Sequence, residues 1–121
     1  MNSNHQNNPI LKHSLDFALE VLKLCDQLQE SRKFTISNQL SRSGTSIGAN
    51  IFESQNAESR SDFIHKLKIA SKEAEETKYW LILCLEMKYI KDDELLKKLE
   101  VISKLLNKII ATSKKNLKQN K

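Results

Sequence analysis

The chain has 121 residues, and its 20 Lys and Arg residues against 15 Asp and Glu residues give a formal net charge of +5. This length supports one domain with a modest core. With only two Gly and one Pro, the chain lacks the turn residues that a sheet protein of this size needs, so the composition favours an all-α bundle. The start lacks the basic-then-apolar pattern of a signal peptide. The longest nearly apolar run, Tyr79–Leu85, is too short to span a bilayer. We therefore expect a soluble, cytoplasmic protein with no membrane partner.

The first predicted helix covers about residues 10–29, after a polar segment, residues 1–8, that we expect to be disordered. Pro9 suits the first helical position, where its missing N–H has no partner to lose. Apolar residues then recur at spacings of four and three, which indicates one buried face. This predicted core stripe is Leu11, Leu15, Ala18, Leu22 and Cys25.

The second predicted helix covers about residues 36–55, with Thr35 or Ser37 as its N-cap. Its apolar stripe passes through both glycines of the chain, Gly44 and Gly48. A phosphate-binding loop would need a preceding strand and a lysine after the second glycine, and neither is present. A spacing of four instead places both glycines on one helix face, where a neighbouring helix can approach closely. Tight packing is expected to offset the roughly 1 kcal/mol that each glycine costs inside a helix.

The third predicted helix covers about residues 60–89 and begins with a capping box, Ser59 with Asp62. Within it, the segment from Tyr79 to Leu85 is apolar on all sides. A helix that is apolar all round must be covered all round, so we expect a second copy of the chain to bury part of it. The predicted oligomer interface is Tyr79, Trp80, Ile82 and Leu83.

The fourth predicted helix covers about residues 93–113, with Asp92 as its cap. Four amphipathic helices with short connections predict an antiparallel up-down-up-down bundle over residues 9–113. Residues 114–121 are expected to form a flexible, lysine-rich tail that contacts nucleic acid or a membrane surface, or only keeps the chain soluble. The predicted nucleic-acid-binding residues, which we call the lysine patch, are Lys104, Lys108, Lys114, Lys115 and Lys118.

No catalytic, metal or cofactor site is expected. His5, His13 and His65 lie off the predicted stripes and form no metal-ligand spacing with Glu or Cys. The two cysteines, Cys25 and Cys84, are far apart and lie in apolar segments, which indicates buried free thiols in a reducing compartment.

The run from Gln39 to Ser54, QLSRSGTSIGANIFES, resembles the four-helix bundle family of the 23S rRNA intervening sequence proteins, also labelled S23. The resemblance covers about residues 10–112. Gly48 stands where the family often has proline, and Ser54 where it has glycine. The matching residues are Gln39, Arg42, Ser43, Ser46, Ile47, Asn50, Ile51 and Glu53, followed by Phe63, Leu67 and Ala70.

The resemblance implies a bundle that assembles into ring-like homopentamers and has no known enzymatic activity. It also implies contact with RNA or DNA, since some members are encoded inside rRNA intervening sequences. A similar bundle is the accessory protein of diversity-generating retroelements, which binds nucleic acid and a reverse transcriptase. The leading hypothesis is therefore a non-enzymatic homo-oligomer that binds nucleic acid weakly. The alternative is a scaffold for a protein partner, such as a reverse transcriptase or a neighbouring gene product.

Asn50 and Glu53 are the two motif residues whose residue type is least explained by packing. Asn50 could be a structural polar lock that bonds across the bundle to Ser43, Ser46 or a neighbouring helix, or it could contact a ligand. Arg42 could pair with Glu53 across a subunit boundary or be solvated.

Overall fold

The computed structural model describes residues 8–119, so residues 1–7 of the segment predicted to be disordered lie outside the described residues, as do 120 and 121. Within 8–119 the chain forms four helices and no strand. They are α1 (Pro9–Glu30), α2 (Phe34–Ser54), α3 (Arg60–Glu86) and α4 (Glu94–Gln119).

The helices form a closed cycle in which each packs on its two neighbours: α1 on α2, α2 on α3, α3 on α4, and α4 on α1. Connections of a few residues reverse the chain after each helix, as in an up-down-up-down bundle. This confirms the predicted all-α four-helix bundle. As a consequence, the outer groove between α1 and α2 lies on the opposite side of the bundle from the groove between α3 and α4.

The core stripe predicted for α1 is wrong in part. Leu15 and Leu22 are 40% and 44% exposed, whereas Phe17 and Val21 are almost completely buried. Because α1 is apolar over more than half its circumference, two stripes with the same four-and-three spacing compete for the core. The buried residues of α1 are Ile10, Leu11, Ser14, Phe17, Val21, Cys25 and Leu28.

The proline and capping signals in the sequence correctly mark most of the helix starts. Pro9 occupies the start of α1, and Ser59 Oγ accepts a hydrogen bond of 3.0 Å from the Asp62 N–H, as predicted. The Asp92 carboxylate accepts from the Glu94 N–H at 3.1 Å. The cap predicted for α2 is wrong, because α2 begins at Phe34 without a side-chain cap.

The predicted end of the bundle at residue 113 is also wrong. Helix α4 continues to Gln119, so residues 114–119 are helical and do not form a flexible tail. Ser113 is buried and Leu117 is half-buried, which extends the spacing of four and three that begins at Leu106. The lysines between them occupy the solvent side of this same helix.

Candidate functional site

The glycine face of α2 packs on α1. A Cβ atom added at Gly44 would lie only 2.8 Å from Val21 Cγ1, closer than packed carbon atoms approach. A Cβ added at Gly48 would meet Ser14 Oγ at 3.4 Å, an ordinary contact. Neither glycine has a positive φ, so Gly44 is needed for space and not for a turn. The predicted close packing is confirmed at Gly44.

The charged motif residues join α2 to α3 within one chain. Arg42 pairs with Glu73 at 3.3 Å and with Glu76. The Arg42 hydrogen bond lowers the pKa of Glu76, and the same contact raises the pKa of Arg42. Glu53 pairs instead with Lys66 at 3.2 Å. Neither alternative predicted for Arg42, a pair with Glu53 or a solvated side chain, describes this arrangement.

Asn50 is not the polar lock across the bundle. Its Nδ2 donates to the Ser46 carbonyl oxygen, one turn earlier on the same helix, at 2.8 Å. The buried hydroxyls of Ser43 and Thr77 instead share a 2.9 Å hydrogen bond between α2 and α3. Ile47 and Ile51 are fully buried, so the motif residues hold α2 in place and form no open pocket of polar groups.

The apolar segment of α3 is only partly covered by its own chain. Tyr79 is 56% exposed, Trp80 and Leu83 are half-buried, and the Tyr79 and Trp80 rings meet edge to face with their centroids 5.1 Å apart. The exposed side of Ile82 lines a groove between α3 and α4, with a volume of about 360 Å³. The prediction that a second copy covers this segment stays a prediction.

Sequence reasoning missed an apolar groove that lies between α1 and α2. It has a volume of about 330 Å³ and is lined by apolar and small side chains, including Leu11, Leu15, Ala18 and Ala49. The signal was present in the sequence, because the apolar residues of α1 are too many for a single face. Because the predicted core stripe includes Leu15, it does not predict this groove.

The lysine patch lies on the solvent side of α4, and all five of its residues are exposed. Lys104 pairs with Glu100 at 3.2 Å, but the other four form no ion pair with any described residue. Packing of α3 on α4 adds Lys68, which sequence reasoning missed because only the tertiary structure brings it close. Contact with the Lys68 amino group, followed by desolvation and the charge of Lys118, lowers the pKa of Lys114. This crowding of like charges favours a polyanion as the ligand.

The two thiols are buried, and burial raises the pKa of Cys25 and raises that of Cys84 to about 11. Such thiols react slowly because the thiolate is the nucleophile. Among residues 8–119, no group of three or more His, Cys, Asp or Glu side chains is placed to hold a metal ion. Over the same residues, none of the helices has an apolar stretch long enough to cross a membrane.

The comparisons with known proteins agree on one family. The sequence profile of the 23S rRNA-intervening sequence proteins matches residues 6–109. Among solved structures, the chain is similar to a protein of unknown function from the S23 ribosomal protein family of Bacteroides thetaiotaomicron VPI-5482, a crystal structure at 1.70 Å resolution. The two share 46% sequence identity with a TM-score of 0.81, over 84% of this chain and 97% of that chain. No curated protein matches the sequence.

Proposed function

The chain belongs to the family of 23S rRNA-intervening sequence proteins, and on this premise we propose that it is a non-enzymatic, homo-oligomeric bundle that binds RNA weakly as an accessory protein in the cytoplasm. The contact is electrostatic and uses the lysine patch together with Lys68. One observation carries this proposal: the patch, four of whose lysines lack an ion pair within residues 8–119, gains a further cation because Lys68 of α3 lies beside Lys114. Phosphates would neutralise this charge and release counterions.

Fluorescence anisotropy with a labelled single-stranded RNA tests the proposal. The affinity should fall steeply as the salt concentration rises. Lys115→Gln with Lys118→Gln should weaken binding and reduce the slope of log Kd against log salt by about 0.7 for each lost phosphate contact. The control is Lys12→Gln with Lys23→Gln, which removes the same charge from the exposed side of α1. Equal losses of RNA affinity in both variants would show that the effect depends only on net charge. Absence of RNA binding at low salt would overturn the proposal.

Self-association is supported by two grooves: the apolar α1–α2 groove, and the α3–α4 groove, where Ile82 and Leu96 lie among charged side chains. They lie on opposite sides of the bundle, and contacts between two different surfaces of identical chains form a ring when the rotation from one copy to the next closes. In the proposed ring, the α1–α2 groove of one copy meets the α3–α4 groove of the next, and the family resemblance implies five copies. Repetition of the lysine patch around the ring would strengthen its weak single contacts.

Light scattering should then give a molar mass several times the 14.0 kDa of one chain. Leu15→Glu should lower this mass, because it places a charge in the α1–α2 groove at a side chain that is already 40% exposed. Val101→Glu is the control, since Val101 is similarly exposed but lies outside both grooves. A wild-type monomer at micromolar concentration would contradict the proposed ring.

The α1–α2 groove also favours the alternative function, a scaffold for a protein partner. Under this alternative the groove receives an apolar surface of that partner, such as a reverse transcriptase or a neighbouring gene product. The similarity to the accessory protein of diversity-generating retroelements, which suggested the first of these partners, is still a prediction. Co-purification with the candidate partner that Leu15→Glu abolishes and Val101→Glu preserves would support the scaffold over the ring if light scattering shows the wild-type chain alone to be a monomer.

A further inference from the structure

A third surface lies at the end of the bundle where α1 turns into α2 and α3 ends. It is an open cleft of about 450 Å³, within the roughly 300–1,000 Å³ that small-molecule sites occupy. The chain has four Phe, two Tyr and one Trp, and this cleft contains Phe34, Tyr89 and Trp80. Phe34 is 47% exposed. Aromatic side chains are therefore concentrated here and are not fully used by the core.

The cleft is basic as well as aromatic. Arg32 and Lys33 line it, no acidic residue does, and neither cation forms an ion pair with a described residue. Lys33 Nζ lies 5.1 Å from the centroid of the Tyr89 ring. Hydrogen bonds from Arg32 N to the Gln29 carbonyl oxygen and from Lys33 N to that of Leu28 hold the turn in place. These bonds fix the backbone of the turn that carries the two cations, and both of their side chains are exposed to solvent.

One further feature supplies hydrogen-bond donors beside the aromatic rings. Helix α2 starts in the cleft without a side-chain cap, so its first N–H groups are available to an anion. The Trp80 Nε1 atom is shielded from water, and the indole is close enough to Glu76 to contribute, after Arg42, to the lowered pKa of that carboxyl. Trp80 therefore offers its ring, and not this N–H, to a ligand in the cleft.

We propose that this cleft binds an unpaired nucleotide of single-stranded RNA, with the base against Phe34 and Trp80 and the phosphate against Arg32 and Lys33. Aromatic faces next to cations are how proteins bind single strands, because every base offers a face for stacking. A duplex hides those faces, so the cleft would select single-stranded over double-stranded RNA. This inference rests on the proposed function but uses a different surface from the lysine patch.

Trp80 is the only tryptophan, so its fluorescence reports on the cleft directly. A single-stranded RNA should quench it, and a duplex of the same length should not. Phe34→Leu keeps an apolar side chain but removes the ring, and it should weaken the quenching titration about tenfold. Phe34→Tyr should restore it. Lys33→Gln should weaken it several-fold, whereas Lys23→Gln, at an exposed lysine of α1, should not.

A nucleoside monophosphate separates this inference from the proposed function. If it quenches Trp80 equally in the wild type and in the Lys115→Gln, Lys118→Gln variant, the cleft is supported whether or not the lysine patch binds RNA. If RNA binds but neither RNA nor the mononucleotide changes Trp80 fluorescence, the cleft inference is overturned and the proposed function stands. Quenching by an acidic peptide but by neither nucleotide probe would make the cleft a protein site and also overturn the inference.

Discussion

The motif of α2 and the lysine patch of α4 differ in how far their polar groups are used within the chain. In the motif, Arg42 is paired with two carboxylates of α3, and Ser43 shares a buried hydrogen bond with Thr77. In the patch, four lysines have no carboxylate partner among the described residues, and Lys68 approaches Lys114. The comparison separates architecture from function: groups already satisfied hold the bundle together, and groups left unsatisfied are available to a ligand. Substitutions in the motif should therefore change stability, and substitutions around the patch should change RNA binding.

The largest expected effect is at Gly44. Gly44→Ala should lower the free energy of unfolding by about 2 kcal/mol, because the new methyl group overlaps the buried Val21 side chain. Gly48→Ala is the matched control and should be neutral or stabilising by up to about 1 kcal/mol, since its methyl group meets only ordinary contacts while helix propensity improves. Urea unfolding of both variants measures the difference. Equal destabilisation would show that the motif does not depend on close approach at Gly44.

A smaller loss of stability is expected at the hydroxyl pair of α2 and α3. Thr77→Val removes one partner and leaves the Ser43 hydroxyl buried, which should cost about 1 kcal/mol. Adding Ser43→Ala to this variant should lower the free energy of unfolding only slightly further, because the hydrogen bond between the two side chains is already absent. The double-mutant cycle in urea gives the coupling energy. Additive losses would mean that the pair does not act as a unit.

Lys68→Glu should affect binding but not stability. It replaces a like charge beside Lys114 with an opposite one, so the melting temperature should stay the same or rise slightly. RNA affinity at low salt should fall several-fold, because a carboxylate then competes with phosphate for the patch. Thermal melting and RNA anisotropy on the same sample test this. A lower melting temperature with unchanged RNA affinity would show that Lys68 contributes to stability and not to RNA binding.

The smallest effect is expected at Arg42, where the pairs are partly exposed. The pKa of Glu76 lies below its ordinary 4.5 in the folded protein, so its pairing stabilises the fold above about pH 4.5 and stops doing so as the pH falls through the lowered value. Arg42→Gln should therefore lower the melting temperature slightly at neutral pH, and the difference should vanish in acid. A difference that persists in strong acid would assign the role of Arg42 to packing.

Local chemistry explains which parts of the fold could be predicted. The number of helices, the starts at Pro9 and Ser59 and the helical path of the glycine motif depend on residues within a few positions of one another, so the sequence alone determines them. The lysine patch was predicted for a related reason: a run of lysines without acids is basic in any fold. Its helical conformation was missed because the lysines obscured the apolar spacing that continues through Ser113 and Leu117.

The tertiary structure decided which of two apolar stripes of α1 became core, which carboxylates Arg42 pairs with, and that Lys68 joins the patch. Each depends on how one helix is rotated against another, and periodicity fixes only the angles within a single helix. Leu15 and Val21 are equally apolar in the sequence, and only the approach of Gly44 places Val21 inside and leaves Leu15 in a surface groove. The cleft at the α1–α2 turn also depends on the tertiary structure, because its aromatic residues come from α2, α3 and the connection to α4.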